Sequence, residues 1–158
     1  MEIKYQNLRV LVPAILKVRI PEEILNKLND YIDKIMNDNT KLKKLNYGEA
    51  LVGDVTQEFL LEIEFVKTSG WLEFLGNCCK IYTELNEGKK ISKFNLLKTW
   101  VVRQFQNEYN PTHWHGGHIS GAGFLKVPKS LGESTQQKKS KKYRGGNLQL
   151  IHGARMFT

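Results

Sequence analysis

The sequence predicts an α+β fold, and three observations carry that prediction. Two stretches in the first ninety residues have apolar residues at helical spacing, the opening segment alternates as strands do, and the stretch from Leu96 onward is strand-like and interrupted by turns. The order strand, helix, mixed segment, helix, then strands suits helices bracing one face or end of a mainly antiparallel sheet. A chain of 158 residues that is 41% hydrophobic has the material for one domain, residues 1–158.

Gln6 to Ile20 alternates apolar residues with others, and Pro13 divides the run into two pieces or marks an edge. Pro21 suits the first position of a helix, and Glu22 and Glu23 suit its positive N-terminal end. Ile24, Leu25, Leu28, Tyr31, Ile32, Ile35 and Met36 then follow helical spacing, with an end near residues 37–40. Asn46 to Ile63 is punctuated by Gly48 and Gly53; its end alternates as a strand does, although a helix starting at Thr56 is equally compatible. A second amphipathic helix spans Thr68 to Leu85, with Thr68 or Ser69 as cap and Leu72, Leu75, Cys79, Tyr82 and Leu85 on one face. Leu96 to Phe105, Ile119 to Val127 and Asn147 to Ile151 read as three further strands.

Composition narrows the function classes. No apolar run is long enough to span a bilayer, and the first residues, MEIKYQ, do not have the order of a signal peptide, so a soluble cytoplasmic protein is expected. The two cysteines, Cys78 and Cys79, are adjacent in a helical pattern, where neighbouring side chains diverge. They read as small core or boundary residues of a reducing compartment. The net charge of +8 is uneven: Lys129, Lys138, Lys139, Lys141, Lys142 and Arg144 face only Glu133 between residues 129 and 145, giving this loop +5. Such a loop offers weak nucleic-acid contact or serves as a solvated insertion, and with Tyr143 as its one aromatic it lacks stacking residues.

The most informative cluster is histidine. The chain has four histidines, and three of them, His113, His115 and His118, lie within six consecutive residues. They follow the turn signal Asn110-Pro111, where one predicted strand ends and before the next begins. Residues two apart in extended chain share a face, so His113 and His115 project together while Trp114 points away. An imidazole pair of that kind can chelate one ion, and zinc, iron, copper and nickel all accept such nitrogen donors. Gly116 and Gly117 remove side-chain bulk beside it, which allows a bend or close approach of a ligand.

The order strand, YNPTHWH, a glycine-containing turn, SGAGFLKVP, a basic loop and GGNLQLI resembles the 2-oxoglutarate- and Fe(II)-dependent oxygenases related to prolyl hydroxylases, notably a group common in marine phage. The likeness covers Leu96 to Thr158 well and the first ninety residues loosely. It implies a double-stranded β-helix, or jelly roll, braced by the two N-terminal helices, with residues 1–93 as support and residues 94–158 as the first part of the core. In phage the location would be the host cytoplasm. It also implies Fe(II) and 2-oxoglutarate as cofactors and hydroxylation of a small-molecule or protein substrate. His113 and His115 are then metal ligands, His118 a further ligand or supporting position, and Tyr109, Gln104 and Phe124 the lining of the cosubstrate cavity; the resemblance places the third ligand beyond His152, which stands at a strand end as the candidate for a three-histidine site within this chain.

Two departures from the family pattern are visible. His115 stands where the family usually has a carboxylate, and Phe124 stands where a tyrosine hydroxyl often meets the cosubstrate. The family's distal histidine and 2-oxoglutarate-binding basic residue would follow Thr158, so the expectation is a domain cut within its core, prone to pairing with a second copy through open strand edges. A histidine-only donor set suits a cupin-type metal dioxygenase as an alternative; a non-catalytic jelly-roll module that uses the basic loop is the other.

Overall fold

The structure, a computed structural model, describes residues 3–8, 14–131 and 146–151. The chain opens with an antiparallel hairpin of β1 (Tyr5–Leu8) and β2 (Ile15–Val18), with Tyr5 opposite Val18. Pro21 lies one residue before α1 (Glu22–Met36) and its carbonyl accepts the Leu25 N–H at 2.9 Å. Glu22 and Glu23 occupy the first turn, where the helix dipole favours negative charge, and Ile24, Leu28, Ile32 and Ile35 form the buried stripe.

The stretch that follows resolves into several short elements. Asp38 accepts from the Thr40 and Lys41 N–H groups at 3.1 and 3.0 Å and so caps α2 (Asn39–Leu45). A 3₁₀ turn covers Gly48–Ala50, β3 spans Gln57–Leu60, and α3 spans Ile63–Thr68. The second predicted helix is α4 (Trp71–Glu87), which Gly70, at φ +86°, separates from α3. Left-handed backbone is adopted by glycine without steric cost, so Gly70 sits at the start of α4, while the predicted cap Ser69 accepts from the Trp71 N–H at 3.3 Å and Thr68 ends α3. Cys78 and Cys79 are half-buried and unbridged on α4, and burial, with Cys79 beside it, pushes the Cys78 thiol up to about 11.

β4 (Trp100–Arg103) returns antiparallel to β3, with Glu58 opposite Val102 and Phe59 opposite Val101. The Phe59 face of this ribbon packs on the helices: Phe59 and Val101 join Ile24, Leu28, Ile32 and Ile35 of α1, Val66 of α3 and Phe74 of α4 in one core. The α+β class holds. The described strands form two two-stranded antiparallel sheets, and no jelly-roll barrel is evident among the described residues.

Two predicted strands are corrected. Ile119 to Val127 and Asn147 to Ile151 join no sheet, and Phe124, Val127, Leu148 and Leu150 are exposed. Apolar alternation marks a segment suited to a ladder, yet a strand exists only when another supplies its hydrogen bonds. β4 finds that partner in β3; residues 119–127 and 147–151 find none among the described residues.

At the junction of α1, α2 and α3, Glu62 accepts from the Tyr31 hydroxyl at 2.5 Å and from Lys41 Nζ at 2.7 Å. Those two donors hold its carboxyl below the usual range, and the Tyr31 ring stacks on Phe65 at 3.7 Å. Because Glu62 Oε2 ties two elements to a third, Glu62→Gln is expected to cost about 1 kcal/mol at neutral pH, read as a lowered urea midpoint. The loss should shrink as pH falls, because the wild-type carboxylate, with its lowered pKa, contributes stability above its unfolded value and loses it on protonation.

Candidate metal centre

The histidine segment is held by the turn that precedes it. Glu108, one of the few carboxylates in this half of the chain, accepts from the Thr56 hydroxyl at 2.6 Å, from the Thr56 N–H at 3.1 Å and from the Phe105 N–H at 2.8 Å. These bonds, led by the Thr56 hydroxyl, hold its carboxyl below the usual range. Asn107 takes a left-handed φ of 69° at the tip, and the Asp54 N–H donates to the Tyr109 carbonyl at 2.9 Å. The β3–β4 ribbon is thereby prolonged to Tyr109, just before Asn110-Pro111, and the histidines emerge from its end.

His113 and His115 are not in a strand, yet they meet as residues two apart in extended chain should. Their Nε2 atoms are 3.1 Å apart and their rings stand nearly edge to face, at 84°. Trp114 points away and is 78% exposed. His113 Nδ1 lies 2.7 Å from the Pro111 carbonyl, which only accepts, so that nitrogen carries the proton. In neutral His113 the Nε2 lone pair then accepts the His115 Nε2–H, and a ligand ion would take that lone pair in its place, with Nδ1–H anchored as in metal-binding histidines generally. His115 packs on Trp100 of β4 at 5.5 Å, which fixes the pair over the outer face of the ribbon. Gly117, at φ +95°, turns the chain directly after it in a backbone conformation that favours glycine.

The other predicted site residues are not drawn to this pair. His118 is exposed, and no three His, Cys, Asp or Glu side chains among the described residues are grouped as a ligand set. The Gln104 amide donates to the Glu108 carbonyl inside the turn, while Tyr109 and Phe124 are exposed. Two open hollows lie instead beside α2, the smaller one of about 180 Å³ and lined by Leu42, Lys43, Asn46, Thr56, Gln57 and Glu58. His152 and the basic cluster Lys138, Lys139, Lys141, Lys142 and Arg144 lie outside the described residues.

One residue at this face escaped sequence reasoning altogether. Glu58 of β3 is 3% exposed, and neither of its carboxylate oxygens has a hydrogen-bond partner. Burial raises its pKa, the Glu108 charge raises it further, and the His113 imidazole opposes them. Alternation along QEFL directs Phe59 into the core, so Glu58 faces the other way and shares its face with Trp100 and Val102. A single glutamate in a short strand carries no sequence signal of that kind, because its burial arises from segments far away in the chain.

No helix among the described residues is long and apolar enough to cross a membrane. Compared with known proteins, the chain matches no family model, no curated protein and no solved structure.

Proposed function

We propose that this chain is a metal-dependent oxygenase whose His113 and His115 bind one divalent transition-metal ion, with Fe(II) and 2-oxoglutarate the cofactors implied by its resemblance to the prolyl-hydroxylase-related enzymes. The observation that carries the reading is the paired Nε2 atoms at 3.1 Å, with His113 Nδ1 anchored on the Pro111 carbonyl. Two nitrogens about 2.1 Å from one ion lie about 3.0 Å apart at a right angle and about 3.4 Å apart at a tetrahedral one. The 3.1 Å spacing is that of a hydrogen bond between the two imidazoles, which an ion held by both nitrogens would replace.

Fe(II) bound there would supply open coordination positions for the cosubstrate and for oxygen. The chain's own residues bind and orient: Pro111 fixes the His113 tautomer, Trp100 backs His115, and Glu108 sets the turn that delivers both. Tyr109, Gln104 and Phe124 belong to this reading as cosubstrate-facing residues, and His118 and His152 as supporting ones. A jelly roll belongs to it as well, supported by the exposed apolar side chains of the two predicted strands, Phe124, Val127, Leu148 and Leu150, which a pairing partner would cover.

The test is anaerobic Fe(II) binding to the full chain. Wild type is expected to take up one equivalent, and His113→Ala to weaken binding at least about a hundredfold. Unchanged stoichiometry and affinity in that variant would overturn the assignment. A cupin-type dioxygenase without 2-oxoglutarate is the second reading, favoured by the histidine at position 115; iron binding that is indifferent to 2-oxoglutarate would select it.

A further inference from the structure

Aromatic rings that the core leaves out are concentrated around the β3–β4 ribbon. Phe105, Tyr109 and Trp114 follow one another after β4, and each is at least half exposed. An indole standing in water gains little from its large apolar body until something covers it, and Trp114 is the most exposed large side chain of the three.

Beside them runs a row of rings across the outer face of the ribbon. The centroids of Tyr47 and Trp100 are 6.1 Å apart, those of Trp100 and His115 5.5 Å, and those of His115 and His113 4.7 Å. Trp114, between the two histidines in the chain, stands outward from the end of this row. At its other end Lys98 donates to the Tyr47 hydroxyl, with Nζ 4.6 Å from the centre of that ring. Lys43, in the last turn of α2 with Lys44, lines an open hollow of about 410 Å³ together with Tyr47 and Glu49.

The charge around the row is mainly of one sign. From Gly88 to Asn107 the chain carries Lys89, Lys90, Lys93, Lys98 and Arg103 and no acid. Against them stand Glu49 and Asp54, both exposed, whereas Glu58 is buried and Glu108 is engaged by Thr56 and Phe105. Exposed rings among cations match a single strand of nucleic acid, in which every base offers a π face for stacking and every phosphate a negative charge. A duplex keeps its base faces inside its own stack, where protein rings do not reach them.

We propose that this ring row and Trp114 form a binding surface for single-stranded nucleic acid, with bases stacked on Trp114 and Tyr47 and phosphates held by Lys98 and Lys43. The surface is separate in sequence from the basic loop of residues 129–145. It goes beyond the metal reading and does not depend on it, because stacking and charge pairing need no ion. The four side chains come from α2, the segment after it, the approach to β4 and the histidine segment, so no local motif gathers them.

The probe is a fluorescein-labelled oligothymidylate of about 15 nucleotides, titrated with the full chain in EDTA and followed by anisotropy. Wild type is expected to bind it, more weakly as salt rises. Trp114→Ala should weaken binding at least about fivefold, and Trp114→Phe, which keeps a stacking ring, should retain most of the affinity. Lys98→Gln should lower the slope of log affinity against log salt by about 0.7, the value for one phosphate contact on a single strand. Trp114 and Lys98 are exposed, so neither substitution removes a core contact. His113→Ala should bind the oligonucleotide as wild type does, which reads this surface separately from the metal centre. If Trp114→Ala and Lys98→Gln both bind as wild type does, or if deleting Gln136 to Arg144 alone abolishes binding, the strand lies elsewhere and the assignment falls. An oligonucleotide that does not bind wild type overturns it outright, and a wild-type dimer dissociated by Trp114→Ala would then name a second copy of the chain as the occupant.

Discussion

Phe59→Ala is expected to destabilise the protein by about 3–5 kcal/mol, enough to leave a chain of this size marginally folded or unfolded at 37 °C. Phe59 has no measurable exposure and lies opposite Val101, at the point where the ribbon meets α1, α3 and α4. Truncation removes the contact between the sheet and its helices and leaves a cavity that fixed secondary structure on two sides cannot fill. Urea unfolding of the unliganded protein measures the effect. A loss below about 1 kcal/mol would mean that the ribbon does not depend on the helical layer. Because β4 leads into the histidine segment, the same variant should weaken metal binding without touching a ligand.

Glu58→Gln is expected to act in the opposite direction, raising the stability of the unliganded protein at neutral pH by about 1–2 kcal/mol, or roughly 2–8 °C in melting temperature. The sign follows from linkage. Burial and the Glu108 charge raise the Glu58 pKa above its ordinary value near 4.5, so the folded protein holds this proton to higher pH than the unfolded chain does. Stability tied to Glu58 is therefore fully present below the unfolded value and is lost as pH rises through the folded one. The variant should match wild type near pH 4 and exceed it progressively toward pH 7. Equal melting temperatures at both pH values would show that the carboxylate is solvated or paired at neutral pH. A ligand that binds Glu58 should abolish the difference, since it favours the ionised form in the fold.

The two acid effects oppose one another along the chain. Glu62 and Glu108, each held in its ionised form by donors, favour the folded state above the usual carboxylate range, whereas Glu58 favours it below. Glu62 and Glu108 join elements of the fold, whereas Glu58 is buried with no hydrogen-bond partner.

Much of this could be read from the order of residues. The stripe Ile24, Leu28, Ile32 and Ile35 gave α1 its place, the strand-like alternation within residues 6–20 matched β1 and β2, and the pairing of His113 with His115 followed from extended-chain geometry. Those features are local: each depends on neighbours within a few positions, where periodicity and turn chemistry decide. The division of α3 from α4 at Gly70 was local too, but it is decided by one glycine's φ, which spacing alone does not reveal.

What the tertiary structure decided is of another kind. Ile119 to Val127 has the alternation of a strand and forms none, because a ladder needs a partner that local pattern does not provide. Glu58 reads as an ordinary strand glutamate until α2, the turn at Tyr47 and the histidine segment are brought around it. Sequence by itself determined the α+β class, the principal helices and the histidine pair. Only the fold determined which acid was deprived of water, since burial is a property of segments that meet in space and not of residues that adjoin in the chain.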